Sequence, residues 1–279
     1  MLAVESFLAD IAQNVAGHRL VISPLIPTGI DPHSFEPTPS DAARVADCDL
    51  LIVHGAGLEG FLDPLLKNVG GQRRLIDATA GIAGREPREE GLGEHEEGSG
   101  HRHAIDPHFW MDPNNVVKYV ENIRDGLSNA DPEGASIYAA NAASYVGRLR
   151  DLDGWIADQV SLLPRERRLL VTNHESLGYF ADRYGFKIVG TVMPSVGTDA
   201  SPSAQQMALL IDQINKNGVK AIFLETGSNP QLAQQIARET GIKVVTQLYT
   251  HSTTPPGGEA PTYIDMMRFN TRAIVEALR

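Results

Sequence analysis

Short apolar runs alternate with amphipathic stretches along most of the chain. Runs at 20–26 (LVISPLI), 49–53 (DLLIV), 74–76, 169–172 (LLVT), 187–192, 221–224 (AIFL) and 243–246 (KVVT) have the length and β-branched content of buried strands. Between them, 40–46, 58–68, 203–217 and 230–240 carry helical periodicity. Buried strands alternating with helices predict parallel βα units and therefore an α/β fold. The pattern breaks at 132–163, which reads as one nearly uninterrupted helix. Its length at 1.5 Å per residue would be about 45 Å. Asp131 is placed to cap it, Pro132 to occupy its first position and Pro164 to stop it. Gly147 and Gly154 are its weak points. With βα units on both sides, this helix predicts a rigid connector. The expected organisation is an N-terminal α/β lobe at 1–130, a connecting helix at 131–163 and a C-terminal α/β lobe at 164–279.

Composition narrows the function. A chain of 279 residues with 42% hydrophobic content can build two ordinary cores. Its formal charge of −11 argues against nucleic acid or an anionic membrane as partner. No apolar run reaches the length of a membrane span. The start of the chain lacks a basic n-region and a cleavage site and reads as a first strand and helix, so a signal peptide is expected to be absent from it. The single cysteine, Cys48, excludes an internal disulfide and a cysteine-based zinc site, and its apolar surroundings predict burial.

Two segments carry distinctive composition. Residues 85–103 (REPREEGLGEHEEGSGHRH) are rich in Gly and Glu and almost free of large apolar residues, so a mobile loop is expected. Its His95, His101 and His103 could capture a metal transiently or simply be solvated. The stretch HGAGLEG at 54–60 places Gly55, Gly57 and Gly60 behind a strand, with Asp77 further on, close to a dinucleotide fingerprint. Glu59 opposes that reading, because it stands where a pyrophosphate would sit on a helix N-terminus. The plain alternative is a tight turn into a helix.

The histidines carry the chemistry. His33, His108, His174 and His251 fall just beyond strand ends or in the loops there, two in each half of the chain. That edge of an open α/β sheet is where ligands bind. Imidazoles converging in a cleft between domains are what a zinc site needs. His33 and His108 each stand in an Asp-Pro-His tripeptide. Proline fixes its own φ and holds the preceding residue extended, so the imidazole is presented with little freedom left to lose. Phe35, Phe109 and Trp110 could wall a site from water or pack a core. Glu225, at the end of AIFLE, could orient an imidazole or cap a helix. His18 and His54 are read as structural. His174-Glu175 does not extend to His-Glu-x-x-His, because position 178 is Gly, and no Gly-x-Ser-x-Gly elbow occurs. A zinc-dependent hydrolase or an NAD(P)-binding enzyme is therefore the weaker alternative, and no enzyme activity is expected.

The segments PLIPTGIDPHSFEPTPSDAARVADCDLLIVHGAGLEGFL, IDPHFWMDPNN, TNHESLGYFADRYGF, AIFLETGSNPQLAQQIARETGIKV and APTYIDMMRFNTRAIVEAL together resemble the cluster A-I metal-binding proteins. These are the solute-binding components of zinc and manganese ABC importers. The resemblance covers nearly the whole chain and implies two α/β lobes joined by one long helix, with the metal between the lobes. By motif, His33, His108 and His174 match the first three ligands. A histidine rather than a carboxylate at the third place, and an acidic histidine-bearing loop before the second ligand, imply the zinc type, with a manganese-binding member as alternative. Many relatives carry an aspartate at the fourth place. Here His251 matches it, and water or Glu259 could stand in its stead. The resemblance implies Zn²⁺ as cargo, a periplasmic or extracytoplasmic location, an ABC permease as partner, and a monomer. Delivery by a periplasmic metallochaperone stays open, as does a lipid anchor.

Overall fold

The computed structural model describes residues 1–71, 73–86, 105–193 and 201–279. His95, His101 and His103, and nearly all of the expected mobile loop, lie outside the described residues. Two four-stranded parallel sheets carry the fold. The first contains β1 (Leu2–Ala3), β2 (Ser23–Pro24), β3 (Leu50–Val53) and β4 (Arg74–Asp77), in the order β2-β1-β3-β4. The second contains β5 (Leu169–Thr172), β6 (Lys187–Thr191), β7 (Ala221–Glu225) and β8 (Lys243–Leu248), in the order β6-β5-β7-β8. Each sheet begins in its middle and reverses direction between its first and third strands. That reversal opens a crevice beyond the strand ends.

The helices are α1 (Ser6–Ala16), α2 (Pro39–Ala46), α3 (Leu62–Val69), α4 (Pro113–Ala130), α5 (Ala135–Ser161), α6 (Gly178–Tyr184), α7 (Ala204–Asn217), α8 (Gln231–Thr240) and α9 (Tyr263–Leu278). Several begin on the signals their sequences carry. Thr38 and Asp41 form a reciprocal capping box on α2, and Ser203 and Gln206 form one on α7. Asp112 caps α4 by accepting from the Asn114 amide, with Pro113 at the first position. In α1, Phe7, Leu8 and Ile11 are fully buried. Burial of such a side chain stabilises by about 1.5–3 kcal/mol each.

Four expectations are corrected. The strand expected at 20–26 is only the pair Ser23–Pro24, because Pro24 and Pro27 have no N–H to give to a ladder. The helix expected from 58 starts at Leu62, which places Pro64 in the first turn, where its missing N–H costs nothing. Asp131 does not cap the long helix: its side chain makes no capping bond, and a 3₁₀ turn at Pro132–Gly134 intervenes before α5. Its carboxylate instead accepts from Arg19 Nε at 2.5 Å and from the Tyr138 hydroxyl, which holds it well below the usual carboxylate range. Cys48 is half-buried rather than buried, with its thiol directed at the Val45 carbonyl.

By compactness the chain divides into two interleaved units. One unit comprises Met1–Ile82, Asp112–Trp155 and His251–Phe269. The other comprises Ala83–Met111, Ile156–Thr250 and Asn270–Arg279. The first unit packs Leu2, Val4, Leu25, Leu51, Val53 and Leu65 into a core, with Phe35 against it. The second packs Val171, Ile222, Leu224, Leu210, Ile214 and Ile236. No helix among the described residues is long and apolar enough to cross a membrane.

Candidate metal centre

In the first unit, His33 and His251 stand edge to face with ring centroids 5.1 Å apart. His33 lies in the loop after β2, and its amide donates to Asp31 Oδ1 at 2.9 Å. His251 is buried and follows β8 by three residues. The two loops are tied together: the Gly29 amide donates to Ser252 Oγ at 2.6 Å, and the Thr253 amide donates to Ser6 Oγ at 2.9 Å.

In the second unit, His108 and His174 are fully buried, and their Nε2 atoms lie 3.2 Å apart. Their Nδ1 atoms each face a carboxylate. His108 Nδ1 is 2.8 Å from Asp106 Oδ1, and His174 Nδ1 is 3.0 Å from Glu225 Oε1. Asp106 assigns the His108 proton to Nδ1, whereas His174 Nδ1 faces Glu225 at close range without hydrogen-bond geometry; with both rings protonated at Nδ1, two Nε2 lone pairs converge. Two such lone pairs repel unless a cation lies between them. A tetrahedral ion bonded to both at about 2.0–2.1 Å would separate the nitrogens by roughly 3.4 Å. The observed spacing matches that edge.

His174 and Glu225 come from the ends of β5 and β7, the two strands that flank the reversal in the second sheet. Glu225 is fixed by Asn173 Nδ2 at 3.1 Å and Ser176 Oγ at 2.9 Å. Its carboxylate is thereby held beside the His174 ring. Asp106 went unrecognised in the sequence. It turns the chain so that the His108 amide donates to Oδ1 at 2.9 Å, the same oxygen that faces the ring. Asp31 makes the same backbone turn for His33. The aspartate two residues before each histidine was the available signal. Burial draws the Asp106 carboxyl upward, opposed by the His108 amide and Arg85.

Phe109 stacks on Tyr179 with centroids 4.9 Å apart, and Trp110 donates its indole N–H to the Thr250 carbonyl at 2.6 Å. Trp110 also lies 5.2 Å from the His108 ring. Phe35 packs against Phe61 as core. His54 is buried beside the Tyr119 hydroxyl, 3.1 Å from Nδ1, in keeping with a structural role. The fingerprint-like turn is filled by its own carboxyl: Glu59 accepts from the His54 and Gly55 amides at 2.6 and 2.9 Å. Those are the N–H groups a pyrophosphate would need. Asp77 is engaged by Thr79 through the backbone N–H and the hydroxyl.

The family described as zinc-uptake complex component A, periplasmic (ZnuA), matches residues 2–277. The chain belongs to this family. It is 36% identical to the manganese-binding lipoprotein MntA of Halalkalibacterium halodurans, over 98% of this chain and 86% of that relative. A Mn-bound periplasmic metal-binding protein from Candidatus Liberibacter asiaticus superposes with a TM-score of 0.85 at 31% identity, covering 100% of this chain and 98% of that one. The periplasmic zinc-binding protein TroA of Treponema pallidum does so at 0.85 and 25% identity, covering 99% and 98%. The chain is thus a metal-binding, substrate-binding component of an ABC importer that acts outside the cytoplasm with a membrane permease and ATPase. Its relatives are metal-binding transport proteins, not enzymes.

Proposed function

We propose that the chain binds one Zn²⁺ through His33, His108, His174 and His251 and delivers it to the permease. The donor set carries this reading. The four donors are all imidazoles: the His33 and His251 rings stand 5.1 Å apart, and His108 Nε2 lies 3.2 Å from His174 Nε2. Neutral imidazoles suit zinc, whereas manganese favours carboxylate and water oxygen, and zinc exceeds manganese in intrinsic affinity for nitrogen sites. His251 is buried and Glu259 exposed, which supports the histidine as fourth ligand.

A site of four neutral rings would leave the ion's +2 charge without balance nearby. The balance stands one layer out. Asp106 faces His108, Glu225 faces His174, and Glu175 joins Asp106 on the guanidinium of Arg85, the one cation paired with these acids among the described residues. With all three carboxylates ionised, that layer supplies a net −2. Imidazoles whose Nδ1–H is held by such an acceptor are stronger donors at Nε2.

The relatives named manganese-binding favour a second reading, manganese as cargo. Chelator-stripped protein equilibrated with equal zinc and manganese, then analysed for elements, separates the two. One zinc per chain with little manganese is the expected result. Manganese in equal or greater amount would overturn the zinc assignment.

A further inference from the structure

We propose that Arg85 is a positioning residue for the metal site, holding His108 in its metal-binding orientation through Asp106. The inference rests on the reading above that His108 is a ligand. Arg85 Nη1 donates to Asp106 Oδ2 at 2.6 Å and to Glu175 Oε1 at 2.7 Å. Both oxygens of Asp106 are therefore committed, Oδ2 to Arg85 and Oδ1 to the amide and ring of His108. The same guanidinium nitrogen anchors Glu175, the neighbour of His174 in sequence. One cation thus governs a carboxylate beside each histidine of the pair.

Burial separates this network from an ordinary surface ion pair. The side chains of Arg85, Asp106 and Glu175 are 15%, 0% and 7% exposed. Exposed pairs contribute little, but a desolvated carboxylate that loses its cation is strongly destabilised. The third contact, Arg85 Nε to Asp182 at 3.0 Å, reaches a mostly exposed carboxylate and contributes little. The Tyr179 hydroxyl closes the arrangement, donating to the Asp106 carbonyl at 2.9 Å and accepting from the Arg85 amide at 3.0 Å.

The chain also makes room for this contact. At Gly178, the first residue of α6, an added Cβ would lie 1.9 Å from Arg85 Nη1 and 2.6 Å from Asp106 Oδ2. A side chain there would displace the guanidinium from Asp106. The backbone at Gly178 lies outside the left-handed region, so the space is needed for Arg85 and not for an unusual φ.

The test measures zinc affinity by competition with a chromophoric chelator in the full chain. The variants are Arg85→Gln, Arg85→Lys, Gly178→Ala, His108→Ala and the double variant Arg85→Gln/His108→Ala. Loss of a group that orients a metal ligand weakens binding by about 10–100-fold, the loss expected for Arg85→Gln. Arg85→Lys should recover part of it, and Gly178→Ala should weaken binding in the same direction without removing any charged group. The double variant distinguishes positioning from general support of the fold. If Arg85 acts through His108, Arg85→Gln adds little further loss once His108 is gone. An equal loss in both backgrounds, or unchanged affinity in Arg85→Gln and Gly178→Ala, would overturn the proposal. If His108→Ala itself binds zinc like wild type, the metal-site reading fails instead. Should Arg85→Gln fail to fold, Gly178→Ala and Arg85→Lys decide the matter alone.

Discussion

Glu59 holds an unusual position for an acid. It is buried, its oxygens accept two backbone amides, and a second buried acid, Glu5, lies beside it. Desolvation by burial outweighs the amide hydrogen bonds and raises its pKa from 4.5 to about 7. Burial likewise pushes Glu5 up. A carboxyl with a raised folded pKa holds its proton in the native state after the unfolded chain has released it. The native state then binds more protons, and stability falls as pH rises from about 4.5 to about 7. Glu59→Gln removes this contribution. Its stability should decline less than wild type over that window, measured by urea denaturation at several pH values. Parallel curves for the two proteins would show that Glu59 does not titrate there. Asp10, raised by burial to about 6, acts with the same sign in both proteins and cancels in the comparison.

Among the elements, α5 shows what periodicity can establish. Tyr138, Ala142, Tyr145, Leu149, Leu152, Ile156 and Val160 are buried at intervals of three and four, one apolar stripe along the helix. Gly147 and Gly154 interrupt the sequence but not the helix, and an added Cβ at either would meet nothing within 4 Å. Neither has the positive φ that would call for glycine. Gly147→Ala should therefore stabilise the protein by about 0.5–1 kcal/mol through helix propensity. A higher thermal midpoint in the metal-free form checks this, and an unchanged or lower one would mean that the glycine has a role the open space does not reveal.

For the protein as a whole, binding and folding are linked. An ion that binds only the native state stabilises it by about 2.7 kcal/mol at a free concentration 100 times Kd. Zinc should raise the melting temperature in proportion, with a stoichiometry of one per chain. Removing 87–104 and joining the flanking residues through two glycines should leave that stoichiometry intact. The ends to be joined are already close, since the Asp106 amide donates to the Arg85 carbonyl at 3.0 Å. Loss of all zinc with this segment would instead make His95, His101 and His103 the principal donors.

Much of this architecture was legible along the chain, for local reasons. Short buried strands between helices announce themselves by period and length, so β5 matched its expected bounds and β3, β7 and α8 came within a residue or two. The candidate histidines were legible because strand-end loops are where open sheets bind ligands, and Asp-Pro-His is a local device. What local pattern could not supply is pairing between distant positions. That Asp131 would take Arg19 instead of a helix cap, and that Glu59 would fill the glycine turn, depended on which groups were desolvated together. The same holds for Arg85, separated from Glu175 by 90 positions, whose importance comes from sharing a dry space with two carboxylates. Period and turn chemistry act over a few residues and can be read in order. Charge compensation and close approach act through space, and only the folded chain brings their partners together.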